Sequence, residues 1–498
     1  MGIVKRQGIQ SAIIIYAGFA LGAINLLVLF PKYFTPEQIG LTRVLFDCSS
    51  IFVQLALMGV PSMMLKFFPY YNDNLSKKEN DFLFLSLLIS AIGFALFVII
   101  MWVFEDKIKA IYAQRSPLFV DFFYLIYVFS FFILIYTVFE TYARNNLKTV
   151  IGSFVREIGF RIYTSILILL FAFKFIDFPF FIKTYSSYYV VGILLIVFYL
   201  LWQKRFYIHT SISKVTKKFY KKIVTYGTFI YGGGLLLVIA GNIDVLFIAG
   251  IKGLESTAVF TIAAYIATII QVPQRSTTGI IVPLLSKAWK DKNIELIDSL
   301  YKKTAINQMV LGIFLFLIIW VNVDSVFQLM PNGSIYQQGK YVILIMCLTK
   351  LIDMGTGVNS EILVTSSFWR FNFWAHVVLV ALSIPTNYFL ITKYGIIGSA
   401  YSNLIAFTIY NLMRFIFLLW KFNLQPFSYK TFFCIIIGVA SYYIVSQIPY
   451  IENTYYSIAI KMISISVIYF ISIILFKISD DIQVFYKRIK DGILLKKI

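Results

Sequence analysis

Long apolar runs dominate this sequence and leave few architectures open. From Ser11 onward, stretches of membrane-crossing length recur, each closed by polar residues, Gly or Pro. A helix needs about 20 mostly apolar residues to cross a bilayer. Fourteen such spans fit, at 11–31, 43–65, 82–104, 118–140, 152–174, 184–202, 226–249, 256–280, 304–324, 340–361, 371–392, 398–420, 431–448 and 456–477. The runs are continuous rather than alternating, which excludes the period-two strands of a membrane barrel. Composition agrees. The 498 residues are 60% hydrophobic and 13% charged, where a soluble domain has about 45–50% and about 25%. The predicted fold class is all-α and polytopic.

The net charge is +21, from 44 Lys+Arg against 23 Asp+Glu. In a soluble chain that excess would point to nucleic acid. In a membrane chain it must first be read as topology, because cytoplasmic loops collect Lys and Arg. The chain opens with Lys5 and Arg6 before the run from Ser11 to Pro31. That run is too long for the 7–15-residue core of a cleavable signal peptide, so it reads as a permanent span with a cytoplasmic N-terminus. On this map the inner segments hold 27 Lys/Arg and the outer loops 7. The asymmetry supports an even number of spans with both termini cytoplasmic. No nucleic-acid partner is expected.

Two inner segments are long. Segment 203–225 carries Lys204, Arg205, Lys214, Lys217, Lys218, Lys221 and Lys222 among aromatics. It reads as a helix lying on anionic lipid, and 281–303 as a second one. The outer loops are short, so the chain has no extramembrane region of the size a membrane glycosyltransferase or polymerase uses for its catalytic groups. Cys48, Cys347 and Cys434 sit in apolar runs without a pairing pattern and read as small buried hydrophobes. His209 and His376 are too few for a metal cluster. No cofactor is expected. The organisation reads as a six-helix lobe (1–202), a basic connector (203–225), a second six-helix lobe (226–420), and spans 13 and 14 with a cytoplasmic tail (421–498). A faint echo links Gly59-Val60-Pro61-Ser62 to Ile281-Val282-Pro283-Leu284, each followed by a lysine.

Ionisable groups inside hydrocarbon are costly, and they mark functional positions or internal pairs. Helical spacing puts Arg43, Asp47, Ser50 and Gln54 on one stripe of span 2. Gln271, Gln274, Arg275 and Thr278 share a stripe of span 8, and Lys350, Asp353, Gly357 and Glu361 one of span 10. Asn403, Asn411 and Arg414 fall in one sector of span 12, and Arg156, Glu157 and Arg161 in span 5. Asn242 and Asp244 lie near the outer end of span 7. Four pairs have the spacing to neutralise themselves: Arg43–Asp47, Glu157–Arg161, Lys350–Asp353 and Glu140–Arg144. Arg275, Arg414, Asp244 and Glu361 lack such a partner and must find one on another helix or on a ligand. Arg275 is flanked by Pro273 and two glutamines, and its guanidinium fork suits phosphate oxygens. His376, on the face of Ser383 and Asn387, reads as a packed polar residue. Pro61, Pro273, Pro283 and Pro385 mark expected bends.

Several local patterns together resemble a known family. They are Phe34-Thr35-Pro36-Glu37-Gln38-Ile39-Gly40-Leu41, Gly59-Val60-Pro61 leading to Lys66-Phe67-Phe68-Pro69, Asn242-Ile243-Asp244, Val272-Pro273-Gln274-Arg275-Ser276, and Pro283 through Asp291. Their order over the whole chain is similar to the polysaccharide-exporting branch of the multidrug/oligosaccharidyl-lipid/polysaccharide exporter superfamily, of the O-antigen flippase type. The resemblance implies two six-helix lobes around a central cavity, plus two further helices. It implies a transporter, not an enzyme, in the bacterial inner membrane. Its substrate would be an undecaprenyl-pyrophosphate-linked glycan, moved from the cytoplasmic to the periplasmic leaflet by alternating access. Polysaccharide polymerase and chain-length proteins are the implied partners, beside membrane lipids. Substrate-binding candidates are Arg43, Asp47, Gln54 and Arg161 in the first lobe. In the second they are Gln271, Gln274, Arg275, Lys350 and Arg414. Asp244, Asp353 and Glu361 are candidates for a coupling ion. Related peptidoglycan-precursor flippases carry basic residues on the first helix. Span 1 here has none past Arg6, which argues against that substrate. Competing readings are a cation-coupled multidrug or metabolite antiporter of the same superfamily, and a membrane enzyme acting on polyprenyl lipids.

Overall fold

A computed structural model of the chain describes residues 2–146, 149–449 and 451–491. Among these there is no β-strand. Twelve helices among the described residues are long and apolar enough to cross a membrane. A thirteenth candidate is a pair of helices, Gly333–Gly355 and Asn359–Thr365, bent by 48°. Each of the fourteen expected runs coincides with helix, but that at 152–174 does not meet the apolar criterion. Arg156, Glu157 and Arg161 interrupt it. The protein is a multi-pass membrane protein of two compact units, Met1–Thr261 and Ile262–Ile498. The division falls beyond the basic connector, because the helix following the connector packs within the first unit.

The first unit begins with α1 (Gly2–Ala23), which runs through a π-helical turn at Ile24–Leu29 into Phe30–Tyr33. Helix α2 (Pro36–Ala56) shows why the motif at 34–41 recurs as a unit. Thr35 is the N-cap and Pro36 presets the first turn. The Gln38 amide accepts from the Thr35 backbone while the Thr35 hydroxyl receives from Gln38, a reciprocal capping box. Phe34, just before the cap, is buried and stacks on Phe171 at 4.4 Å. Gly40 lies against the Leu254 carbonyl, where a Cβ would collide with backbone.

Helix α2 ends at a break over residues 57–59, where Gly59 takes φ +81. Helix α3 (Val60–Asn74) then starts with Pro61 in its first turn. The chain continues through α4 (Phe82–Tyr112) and α5 (Leu125–Asn145). Helix α6 runs from Thr149–Phe154 through a second π turn, Val155–Gly159, into Phe160–Ala172. Span 6 is also interrupted, as α7 (Phe178–Ser186) and α8 (Tyr189–Trp202) with a turn at Ser187 and Tyr188. Helix α9 (Lys214–Ile251) is 38 residues long. At 1.5 Å per residue that is about 57 Å, well beyond a hydrocarbon core of about 30 Å. The second half of the basic segment is therefore the start of this rod and not a separate surface helix. Helix α10 (Leu254–Thr268) begins beside α2. Helix α2 packs on α4, α5 and α9 and forms the centre of this unit.

The start of α9 is fastened by Asp81. This buried carboxylate accepts the Ser213 amide and the Thr216 hydroxyl, both at 2.8 Å, and Thr216 also meets the Tyr71 hydroxyl at 2.8 Å. Asp81→Ala removes the one oxygen, Oδ2, that accepts from both Ser213 and Thr216 at a helix cap. A loss of about 3 kcal/mol is expected, read as a lower unfolding temperature in detergent, with Asp81→Asn recovering part of it. An alanine variant with wild-type stability would show the fastening to be dispensable.

In the second unit a 3-10 turn (Ile269–Gln271) leads into α11 (Val272–Lys290). Helix α12 spans Ile294–Leu329. The segment 281–303 is thus shared between the ends of two long helices, with a turn between them at 291–293. Next come α13 (Lys340–Gly355), α14 (Asn359–Thr365), α15 (Trp369–Tyr394), α16 (Ile396–Phe422), α17 (Tyr429–Ser446), α18 (Thr454–Leu475) and α19 (Asp480–Lys490). Helices α17 and α18 bury Cys434, Ile437, Ile465, Tyr469 and Ile473 against α12. All three cysteines are free and buried. The expected tail extends to 498, and residues 492–498 lie outside the described residues.

Two local expectations are corrected. The 59–62 and 281–284 segments are not equivalent, since the first is a helix break and the second lies inside unbroken α11. Of the four expected proline bends, only Pro61 and Pro273 follow an interruption. Pro283 and Pro385 sit within continuous helices.

Candidate functional site

Each unit gathers its intramembrane polar groups into a node. In the first unit, Arg43 donates through Nε to Asp47 Oδ2 at 2.8 Å, one helical turn on. The arginine is 37% exposed while Asp47 is fully buried, so the pair shows its cationic side outward. Asp244 on α9 is buried and near enough to act on the charge of Asp47. Gln54 lies with its amide against Gly234 of α9. The expected stripe on α2 is therefore continuous, because α2 has no break before Ala56.

A second cluster lies around the two π turns. Arg161 donates to the Glu157 carbonyl at 2.6 Å and to its carboxylate at 3.0 Å. Asn25, in the π turn of α1, donates to the Arg161 carbonyl at 2.8 Å, and Ser165 donates to Asn25 at 2.6 Å. The π turn of α1 is thus tied to α6, and the carbonyl of Glu157 in the second π turn lies against Gly18 of α1. Glu140 does not pair with Arg144 as its spacing suggests. Arg156 bridges it at 3.5 Å and reaches Glu157 at 3.3 Å. The extra residue in the π turn changes the face that Arg156 presents, and a spacing rule for a regular helix cannot anticipate that.

Between these two clusters lie the tyrosines of the span 6 break. Tyr185 is close enough to Arg43 and Asp47 to interact with their charges, and Tyr189 to Arg156. Tyr188 and Tyr189 lie ring against ring in a tilted contact. Ring centroids step from Tyr185 to Tyr188 at 5.4 Å, to Tyr189 at 4.5 Å, and on to Tyr136 at 5.1 Å. This cluster was not among the sequence candidates. Its signal was a polar Tyr-Ser-Ser-Tyr-Tyr run, 185–189, within an otherwise apolar span.

In the second unit the hub is Asp353. Its carboxylate accepts from Gln271 at 3.2 Å, Gln274 at 3.4 Å and Asn411 at 3.2 Å, with Arg414 at 3.8 Å. Arg414 finds the partner its own helix lacks. It donates to Asn411 at 2.7 Å and lies over the Tyr410 ring at 3.7 Å. Tyr410 in turn meets His376 at 2.8 Å, which makes the histidine a packed polar residue as expected. Thr356 and Asn359 also donate to Asn411. They stand on either side of the break between α13 and α14, which the node therefore fastens.

That break corrects the expected stripe of span 10. Lys350 and Asp353 lie on α13 and Glu361 on α14, so no regular helix carries all three. Glu361 receives from Thr278 at 3.4 Å, and Lys350 lies over Phe407 at 5.5 Å. Arg275 is different from all of these. It is exposed, and among the described residues no carboxylate lies within 4.0 Å of it. A guanidinium at the end of the candidate span Leu254–Arg275, next to a polar hub and without a counter-charge among the described residues, is available to an anion.

Helix-only architecture among the described residues, two units and polar nodes within the spans define a polytopic membrane fold. The solved structure titled "Lipid II flippase MurJ, inward closed conformation" is similar, with a TM-score of 0.74 at 15% identity, over 94% of this chain and 98% of that one. An inward-facing multidrug resistance MATE family transporter of the MOP superfamily matches with a TM-score of 0.59 at 15% identity, over 83% of this chain and 98% of that one. Its outward-facing counterpart gives 0.55 at 14% identity, over 84% and 96%. The fold is shared with these solved structures. A search of curated proteins gave no match. The family described as polysaccharide biosynthesis protein matches residues 5–289, more than half of the chain, and this protein belongs to it.

Proposed function

We propose that the protein carries an undecaprenyl-pyrophosphate-linked oligosaccharide from the cytoplasmic to the periplasmic leaflet of a bacterial inner membrane, by alternating access, for surface polysaccharide of the O-antigen kind. The observation that carries this reading is Arg275, an exposed guanidinium at the end of the candidate span Leu254–Arg275, without a counter-charge among the described residues. A pyrophosphate head cannot enter hydrocarbon alone, and a free guanidinium fork offers it two donors. Gln271 and Gln274 extend the polar face, while Lys350 and Arg414 add positive charge behind it. Arg43 and Arg161 serve the substrate in the first unit away from its pyrophosphate, since each is already paired to a carboxylate. Both termini are cytoplasmic, and polymerase and chain-length proteins take the product outside. Direction comes from differential affinity of two states for substrate and a coupling ion. Asp244, Asp353 and Glu361 are the carboxylates that could hold that ion. No step makes or breaks a covalent bond, so the protein is a transporter and not an enzyme.

Deleting the gene tests the reading. The expected result is lipid-linked repeat units that accumulate facing the cytoplasm, with loss of surface polysaccharide. Unchanged glycan together with greater sensitivity to cationic dyes would favour a cation-coupled drug antiporter. The fold likeness to MATE transporters keeps that second reading in view.

A further inference from the structure

Three irregularities of backbone meet in the first unit: the π turns at Ile24–Leu29 and Val155–Gly159, and the break at 187–188. Helices in a membrane stay regular unless neighbours satisfy the freed groups, and such interruptions accompany binding sites. At this place the chain sets tyrosines between two ion-paired clusters. Tyr185 and Tyr189 are partly exposed, as are Arg43 at 37% and Arg156 at 49%. Tyr136 is 4% exposed, and its hydroxyl is buried without a hydrogen-bond partner among the described residues, in the field of Glu140 and Arg156.

The charge balance says what such a strip takes. Arg43 faces Asp47, while Arg156 and Arg161 face Glu140 and Glu157. Each cation is already matched, so the strip does not suit a dianion. An isoprenoid tail is equally unsuited, since it would take water from four charged pairs without replacing any hydrogen bond. A neutral ligand rich in hydroxyls fits both features. Carboxylates accept from hydroxyls, guanidinium groups donate to them, and tyrosine offers an apolar ring face with a polar tip. We infer that the Tyr185–Tyr188–Tyr189 cluster, flanked by Arg43–Asp47 and Arg156–Glu140, is a carbohydrate subsite in the first unit. The inference rests on the proposed glycan-lipid substrate and assigns its sugar portion to these residues.

The test compares two probes on the purified full-length protein in nanodiscs. One is undecaprenyl pyrophosphate, and the other is the lipid-linked oligosaccharide fraction that accumulates in the deletion strain. Wild type is expected to bind the glycosylated lipid more tightly. Tyr185→Phe/Tyr189→Phe should weaken that binding about tenfold, roughly the worth of one net hydrogen bond, and leave the sugar-free lipid unaffected. The sugar-free probe also reports whether the variant is folded. Equal wild-type affinity for the two lipids would overturn the subsite while leaving the flippase reading standing. No binding of either lipid would overturn the flippase reading itself. An alanine pair, Tyr185→Ala/Tyr189→Ala, that keeps wild-type preference, or that loses both lipids alike, would show the cluster to be packing.

Discussion

Arg275→Ala is expected to lower the rate of lipid-linked glycan flipping in proteoliposomes by at least about tenfold. A hydrogen bond to a charged group contributes about 1.5–3 kcal/mol, and a fork on phosphate makes two. Arg275→Lys keeps the charge but loses the fork, so it should retain part of the rate. The residue is exposed and unpaired among the described residues, so neither variant should shift the unfolding temperature appreciably. That separates a transport effect from a folding effect. Wild-type flipping by the alanine variant would take Arg275 out of the substrate path.

The second large effect concerns stability and is asymmetric. The Arg414 side chain is 3% exposed and that of Asp353 is 20%. Asp353→Ala leaves a buried guanidinium with the Asn411 carbonyl and the Tyr410 ring but without its paired carboxylate. Glu361 acts on it only from α14, at longer range. A loss of about 3–5 kcal/mol is expected for a buried charge stranded in this way. Arg414→Leu is the milder change. Asp353 keeps Gln271, Gln274 and Asn411 and some access to water, and leucine fills the apolar space. The double variant should be more stable than Asp353→Ala alone. Thermal unfolding in detergent gives the order directly. Equal losses from the two single variants would contradict the asymmetric burial of the pair.

The positions of the spans were legible because hydrocarbon imposes a length and composition that few other constraints can override. The Arg43–Asp47 and Glu157–Arg161 pairs were legible for a similar reason, since both lie within a turn of one another. What failed depended on departures from the regular helix. The Gly357 stripe assumed an unbroken span 10, but a turn intervenes after Gly355 and Gly357 takes φ +62. The Glu140–Arg144 pairing assumed that nearness in sequence would prevail over a residue brought in by a π turn. Asn411 was placed in the right sector of its helix, yet its role as acceptor for Arg414, Thr356 and Asn359 follows only from three helices meeting. The surface-helix readings of 203–225 and 281–303 failed because basic residues at a membrane edge look alike whether they lie flat or continue a rod.

The π turns also bear on how this chain can change over time. A π turn closes its hydrogen bonds one residue later than an α turn. It therefore behaves as a single-residue insertion accommodated without breaking the helix. Removing one residue from 24–29 would restore regular geometry but rotate everything upstream by about 100°. Asn25 would then lose its register with Arg161, and Gly18 its close approach to Glu157. Because the turns are tied across two helices, such a deletion in one is not healed by repacking the other. Length variation at these two positions should thus be inherited jointly. Relatives that align only with a gap in α1 are expected to show a compensating gap near 155–159.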